Sequence, residues 1–181
     1  LPLTLWVSLL NIHRARYLQK ISLRHCRIGD YGCKAFFKHL SPSITHIDLT
    51  DNEVTKKGVY YIADAIRVQN TNNFLDSAPC GVQYLCLNGN PIRSGGLNII
   101  VDAVLSDFYL KSIELRNCDI EDVGETYVLA LVNTGLEVFD LRENPIKEKH
   151  KINDITKLLT QNNPPETANF KWSQSEKLFV E

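Results

Sequence analysis

The stretch LKSIELRNCDI, residues 110–120, decides how the rest of the chain is read. Its apolar positions are Leu110, Ile113, Leu115 and Ile120, and a cysteine, Cys118, falls where the run turns polar. A cysteine there suits three roles: nucleophile, metal ligand, or small space-filling residue. The roles separate once it is known whether the stretch recurs.

It recurs four more times. Residues 18–28 read LQKISLRHCRI, 44–54 ITHIDLTDNEV, 82–92 VQYLCLNGNPI and 136–146 LEVFDLRENPI. All five segments fit LxxLxLxx(N/C)xL, the leucine-rich-repeat pattern. Their starts are 26, 38, 28 and 26 residues apart. Three of these spacings suit the long, helix-containing class of repeat, and the fourth carries about ten extra residues. A second pattern keeps the same period. Gly32, Gly58, Gly96 and Gly124 each lie four residues past the last apolar position and are read as starting a helix. The pairs Phe36/Leu40, Ile62/Ile66, Ile100/Val104 and Val128/Val132 then place apolar residues on one helix face. In the fifth copy His150 replaces the glycine, and the apolar face continues through Ile152, Ile155, Leu158 and Leu159.

The fold expected is α/β: a leucine-rich-repeat solenoid with a curved parallel sheet on its concave side and helices on its convex side. A single strand–turn–helix unit cannot bury its own apolar face, so stacking closes a continuous core. The domain is assigned to residues 1–163, a partial repeat plus five full ones. Leu5, Leu9 and Ile12 at the start read as the helix of a repeat whose strand is missing. The sequence contains no methionine, so a piece of a longer chain is expected. After Asn162-Asn163-Pro164-Pro165, residues 164–181 are read as a capping segment and tail, with TANFKWSQ covering the open sheet edge.

Composition limits the function. At 44% hydrophobic and 23% charged residues, the 181-residue chain has the make-up of a folded, soluble domain. A net charge of −1 leaves no footprint for nucleic acid and no polybasic membrane patch. The longest apolar run, LPLTLWVSLL, is too short to span a bilayer and lacks the flanks of a signal peptide. The five cysteines form no CxxC pair and no N-x-S/T site occurs, which points to a reducing, cytoplasmic setting.

The repeat assigns Cys118 to a column: Cys26, Asn52, Asn90, Cys118 and Asn144. In a solenoid turn an asparagine can satisfy a buried N–H and a buried C=O together, and cysteine fills the slot when fewer bonds are needed. The column is therefore read as a structural ladder. Cys26 and Cys118 are three rungs apart, about 14 Å at a strand spacing of about 4.8 Å, too far for one metal ion. Cys33 is read as core and Cys80 as the exposed thiol. No metal, cofactor or catalytic residue is expected.

Outward-pointing strand residues should form the concave face. The middle column reads Ser22, Asp48, Cys86, Glu114, Asp140, the one before it Lys20, His46, Tyr84, Ser112, Val138, and the one after it Arg24, Thr50, Asn88, Arg116, Arg142. Glu114 and Asp140 on adjacent strands could act as an acid/base pair. The alternative is that Arg116 and Arg142 neutralise them on a surface built for recognition. The second reading is adopted, with Asp48, Tyr84, Glu114, Arg116, Asp140 and Arg142 as the protein-binding residues. The segment 67–81, RVQNTNNFLDSAPCG, is read as a loop insertion whose Phe74 and Leu75 dock on a partner or fold back on the helices.

The chain resembles the ribonuclease-inhibitor-like leucine-rich-repeat family, and within it the repeat region of centrosomal proteins. The residues that carry this are HCRIGDYG (25–32), the insertion at 67–81, RNCDIEDVG (116–124), DLRENPIKEKH (140–150) and the Trp172-containing tail. The resemblance implies a non-enzymatic scaffold at the centrosome, centriole or cilium base. It also implies protein partners, either centriolar proteins or a ubiquitin-ligase complex. A monomer is expected. Two rival classes also use such repeats: a Ran-type GTPase-activating protein and a tropomodulin-like actin-capping module. The first would need an ordered basic surface on the strand-to-helix loops, but Arg27, Lys56, Lys57, Arg93, Asp119 and Glu121 show no consistent trend there.

Overall fold

The structure, a computed structural model, describes residues 17–72, 81–107, 109–124, 135–147 and 150. Five three-residue strands form one parallel sheet in chain order: β1 (Lys20–Ser22), β2 (His46–Asp48), β3 (Tyr84–Cys86), β4 (Ser112–Glu114) and β5 (Val138–Asp140). Among the described residues, helices α1 (Gly29–Lys38), α2 (Lys56–Asn72) and α3 (Arg93–Val104) follow the first three strands. The register does not slip. Ile21, Ile47, Leu85, Ile113 and Phe139 stand side by side, one per strand. Beyond the strands the pairing continues as Leu23 N–H to Asp48 C=O, Leu49 N–H to Cys86 C=O, Leu87 N–H to Glu114 C=O and Leu115 N–H to Asp140 C=O, each at 2.8–2.9 Å.

The apolar column of each repeat explains the layers. Ile47, Leu49, Leu85, Leu87, Ile113 and Leu115 from the sheet side meet Ile62, Ile66, Ile100 and Val104 from the helices, all buried. Helices pack about 8–10 Å apart while strands pack about 4.8 Å apart, so the sheet lies on the inside of the curve.

The ladder occupies the turn that leaves each strand. Asn52 Oδ1 accepts the N–H groups of Cys26 (3.1 Å) and Ile28 (3.2 Å), and its Nδ2 donates to Leu23 O (2.7 Å) and Thr50 O (3.0 Å). Asn90 does the same one rung on: its Oδ1 takes Asn52 N–H and Val54 N–H, and its Nδ2 reaches Leu49 O, Leu87 O and Asn88 O. Asn144 repeats the arrangement for Cys118 N–H and Ile120 N–H. Cys118 Sγ reaches Leu87 O (3.2 Å) and Arg116 O (3.3 Å), doing with a thiol part of what the amide does elsewhere. The chain turns at the residue before each rung with positive φ: His25, Asp51, Gly89, Asn117 and Glu143 lie between 50° and 69°. At Gly89 an added Cβ would overlap the exposed Asp51 carboxylate, which would have to move aside, and glycine adopts the positive φ there without the strain that the other four turns carry.

Two expectations need correction. The repeated glycines do not begin the helices. Gly32, Gly58 and Gly96 sit inside the first turn of α1, α2 and α3, and residues 121–124 are not helical. What fixes glycine at position 58 is space, because a Cβ would lie 2.6 Å from both Asp30 Oδ1 and Val54 Cγ1. Nor is the segment 67–81 loop throughout, since residues 67–72 continue α2, whose 17 residues exceed the 10 of α1 and the 12 of α3. Extending an existing helix costs far less than nucleating one, so poor helix formers can be carried along. The first partial repeat, the pairs Val128/Val132 and Ile152/Ile155, Phe74, Leu75, Cys80 and the Trp172 tail fall outside the described residues.

Candidate protein-binding site

The register delivers three outward columns to one face of the sheet. Ser22, Asp48, Cys86, Glu114 and Asp140 align across β1 to β5, as do Lys20, His46, Tyr84, Ser112 and Val138. Alternation along each strand sends these side chains away from the core that holds Ile47 and Leu85.

The middle of that face is closed. Asp48 is only 2% exposed, and Thr50, Cys86, His46 and Ser112 are buried as well. Asp48 Oδ1 accepts the Thr50 hydroxyl (2.6 Å) and backbone N–H (3.0 Å), and Arg24 lies over its other oxygen at 3.6 Å. The expectation that Asp48 contributes to a recognition surface is therefore overturned. On the inner side of the curve a short side chain between longer neighbours loses contact with water, and its carboxylate is satisfied by its own strand. His46 and Tyr84 stack with ring centres 4.2 Å apart and planes at 21°. Burial, with Lys20 nearby, lowers the His46 pKa to about 4, so the imidazole is neutral at neutral pH. Tyr84, the other ring of that stack, is half-buried.

The charged part of the face lies on the last two strands. Asp140, with a side chain only 9% exposed, receives two guanidinium groups. Arg116 Nε stands 2.6 Å from Asp140 Oδ2, while Arg142 donates Nε to Oδ1 (2.9 Å) and a terminal nitrogen to Oδ2 (2.6 Å). Burial alone would raise the Asp140 pKa, but the hydrogen bonds from Arg142 and Arg116 outweigh it and hold the carboxyl below its ordinary value. Glu114 is held differently. Its Oε2 accepts Asn88 Nδ2 at 2.9 Å, and Asn88 Oδ1 accepts Arg116 N–H at 2.8 Å. Glu114 and Asp140 thus stand on adjacent strands with different side-chain donors, linked through Arg116, whose backbone N–H bonds Asn88 and whose Nε pairs with Asp140. Arg142 remains 64% exposed at its side chain and Arg116 35%, so their outer nitrogens face the solvent.

The cysteines fit packing. Cys33, Cys86 and Cys118 are buried. Burial pushes the thiols up, to about 12 for Cys33, about 12 for Cys86 and about 11 for Cys118. A thiol in that state is a poor nucleophile. Among the described residues no group of three or more His, Cys, Asp or Glu side chains is placed to hold a metal ion, and no helix is long and apolar enough to cross a membrane. The strand-to-helix edge carries a shallow cleft lined by Arg93, Ser94, Gly95, Asp119, Glu121, Asp122, Pro145 and Lys147, with charges of both signs.

The sequence reading missed a second inter-repeat column. Asp30, in the first turn of α1, accepts Thr55 N–H and Gly58 N–H, both at 2.8 Å, on Oδ1 and the Thr55 hydroxyl at 2.7 Å on Oδ2. One helix thereby caps the next. Ser94 holds the equivalent position in α3, and its Oγ accepts Glu121 N–H and Asp122 N–H at 3.1 Å. The signal available was a polar residue two positions past Ile28 and Ile92. Both side chains tie one repeat to the next, Asp30 at the start of α2 and Ser94 at the non-helical segment that holds Glu121 and Asp122.

Comparison with known proteins agrees with this architecture. The family described as Leucine Rich repeat matches residues 14–37, 40–63 and 106–124. The Drosophila melanogaster protein named Protein Cep78 homolog is 27% identical over 70% of this chain and 18% of its own length. The Homo sapiens Centrosomal protein of 78 kDa is 22% identical over 91% of this chain and 27% of its own. The chain therefore spans between about a fifth and a quarter of the length of these relatives. Among solved structures, Leiomodin-1 Actin-Binding Site 2 superimposes with a TM-score of 0.69 at 15% identity, covering 85% of this chain and 86% of that one. The Caenorhabditis elegans tropomodulin C-terminal domain gives 0.67 at 11% identity, covering 87% and 92%. At these identities the two structures share the fold alone. The chain has the fold of a leucine-rich-repeat solenoid, and its sequence is similar to that of the centrosomal proteins of 78 kDa.

Proposed function

We propose that this chain is a non-enzymatic protein–protein interaction scaffold acting at the centrosome, centriole or cilium base. Its partners would be centriolar proteins or components of a ubiquitin-ligase complex. The location rests on similarity to centrosomal proteins of 78 kDa. The binding role rests on one structural observation. Two arginines, Arg116 and Arg142, are fixed on one buried carboxylate with their outer edges in solvent, on a sheet whose register is locked by the asparagine ladder. Guanidinium groups oriented in advance lose little entropy when a partner binds, and arginine is enriched in protein interfaces. Tyr84, Glu114, Arg116 and Arg142 make up the recognition surface, with Asp140 holding the arginines in place and Asp48 serving the strand beneath.

Proximity labelling in ciliated cells tests both halves. The chain should label centrosomal proteins. The Arg142→Glu variant should lose most of that labelling while melting within a few degrees of the parent. Labelling unchanged by Arg142→Glu and by Tyr84→Ala would remove binding from the sheet. Labelling with no centrosomal proteins would remove the location.

A further inference from the structure

We propose that the outward faces of α1 and α2 form a second docking surface, one that takes an acidic peptide segment of a partner protein. On α1, Tyr31, Lys34 and Lys38 recur at the three- and four-residue steps that share a helix face, and all three are exposed. On α2, Lys57, Tyr60 and Tyr61 share a face in the same way, with Lys57 and Tyr60 exposed and Tyr61 half-buried. The two faces are continuous, because Lys34 Nζ lies 5.5 Å from the centre of the Tyr61 ring. Tyr61 also meets Tyr60 edge-on, with ring centres 5.9 Å apart. Tyr31 is 84% exposed and Tyr60 55%.

The charge on this surface is positive on balance, three lysines against Asp64, which shares the Tyr60 and Tyr61 face of α2. The whole chain carries a net charge of −1, yet Lys34 and Lys38 share a face of α1, and Lys57 stands one turn before the Tyr61 that Lys34 covers on α2. Among the described residues none of the three makes an ion pair. The acid of α1, Asp30, is turned into the cap of α2, which leaves Asp64 as the exposed acid of the two helices. The next helix, α3, presents Asn98 and Asp102, so the positive surface ends there.

This chemistry suits carboxylates spaced along a peptide that also offers an apolar or main-chain surface to rigid tyrosine rings. It suits a nucleic acid less well. Stacking of bases needs free ring faces, and Lys34 already covers that of Tyr61. The surface is separate from the concave face and does not depend on what binds there.

The test is fluorescence anisotropy with the full chain and a labelled ten-residue peptide of glutamates around one central leucine. Binding should weaken steadily between 50 and 300 mM NaCl. The double variant Lys34→Glu/Lys57→Glu should lose at least tenfold in affinity, Lys34→Gln/Lys57→Gln several-fold and Tyr31→Ala several-fold, whereas Lys111→Glu on the sheet side leaves affinity unchanged. Circular dichroism melts confirm that each variant is folded. The proposal is overturned by absence of peptide binding, by equal affinity of the lysine variants, or by tighter binding of a dodecamer of thymidylate or of phosphatidylserine vesicles.

Discussion

The side-chain oxygen of Asn90 accepts the backbone N–H of Asn52 at 3.0 Å, across a gap of 38 residues in sequence. Asn90 is fully buried, and the same side chain satisfies Val54 N–H and the carbonyls of Leu49 and Leu87. Asn90→Leu would leave several of these groups buried without partners, at about 1–3 kcal/mol each. Urea denaturation should show a loss of at least about 3 kcal/mol. Cys118→Ala, which removes a weak donor and a small volume, should cost about 1–2 kcal/mol. Equal unfolding midpoints for Asn90→Leu and the parent would refute the ladder as a source of stability.

Asp30 ties α1 to α2 through three hydrogen bonds to Thr55 and Gly58. Replacing an N-capping side chain with alanine typically costs about 0.5–2 kcal/mol, and Asp30→Ala should fall at the upper end. Asp30→Asn keeps an acceptor oxygen and should recover more than half of the loss. Ser94→Ala, which removes two hydrogen bonds of 3.1 Å in an exposed setting, should cost less. Denaturation midpoints for the three variants check the ranking, and an Asp30→Ala variant as stable as the parent contradicts it.

The strands, their register and most of the core were legible in the sequence because each is a column repeated at a regular period. Ile47, Leu85 and Ile113 fill equivalent places, so one assignment fixed all of them. The burial of Asp48 was not legible. It depends on how Arg24 and Thr50 drape across the curved sheet, and alternation along a strand says only which way a side chain points. The capping by Asp30 was hidden for a related reason: its partners are 25 and 28 residues away, and only the pairing of whole repeats brings them close. The helical residues 67–72 were masked by their own asparagines, whose preference for turns was overridden by the helix already running from Lys56. In the candidate site, the arginine-to-acid pairing was legible as a type of interaction. That both arginines converge on Asp140 and neither on Glu114 required the geometry.

The clamp on Asp140 predicts a pH dependence of stability. Its carboxyl titrates below its ordinary value in the folded chain because Arg142 and Arg116 outweigh the effect of burial. A carboxylate with a lowered folded-state pKa contributes stability that is fully present above the unfolded value of about 3.9. That contribution is lost as pH falls through the lower folded value. Urea midpoints measured from pH 6 to pH 2 should therefore separate the parent from Asp140→Asn above about pH 4 and converge at the acid end. A constant gap across the range would mean that the aspartate acts through packing or neutral hydrogen bonds.

The buried thiols give a test of the core in the native state. Cys33, Cys86 and Cys118 lie in three repeats, with thiols pushed up to about 12, 12 and 11 by burial. The thiolate is the reacting species, so at pH 8 it is scarce even before access is considered. Iodoacetamide applied to the folded chain at pH 8, followed by peptide mass spectrometry, should leave these three unmodified on the timescale on which the chain unfolded in urea is fully labelled. Protection should fall together at all three sites as urea rises through the unfolding midpoint, because the ladder and the stacked core join them into one structure. Rapid native labelling at Cys118 alone would show that its rung opens independently of the neighbours it bonds, Leu87 and Arg116.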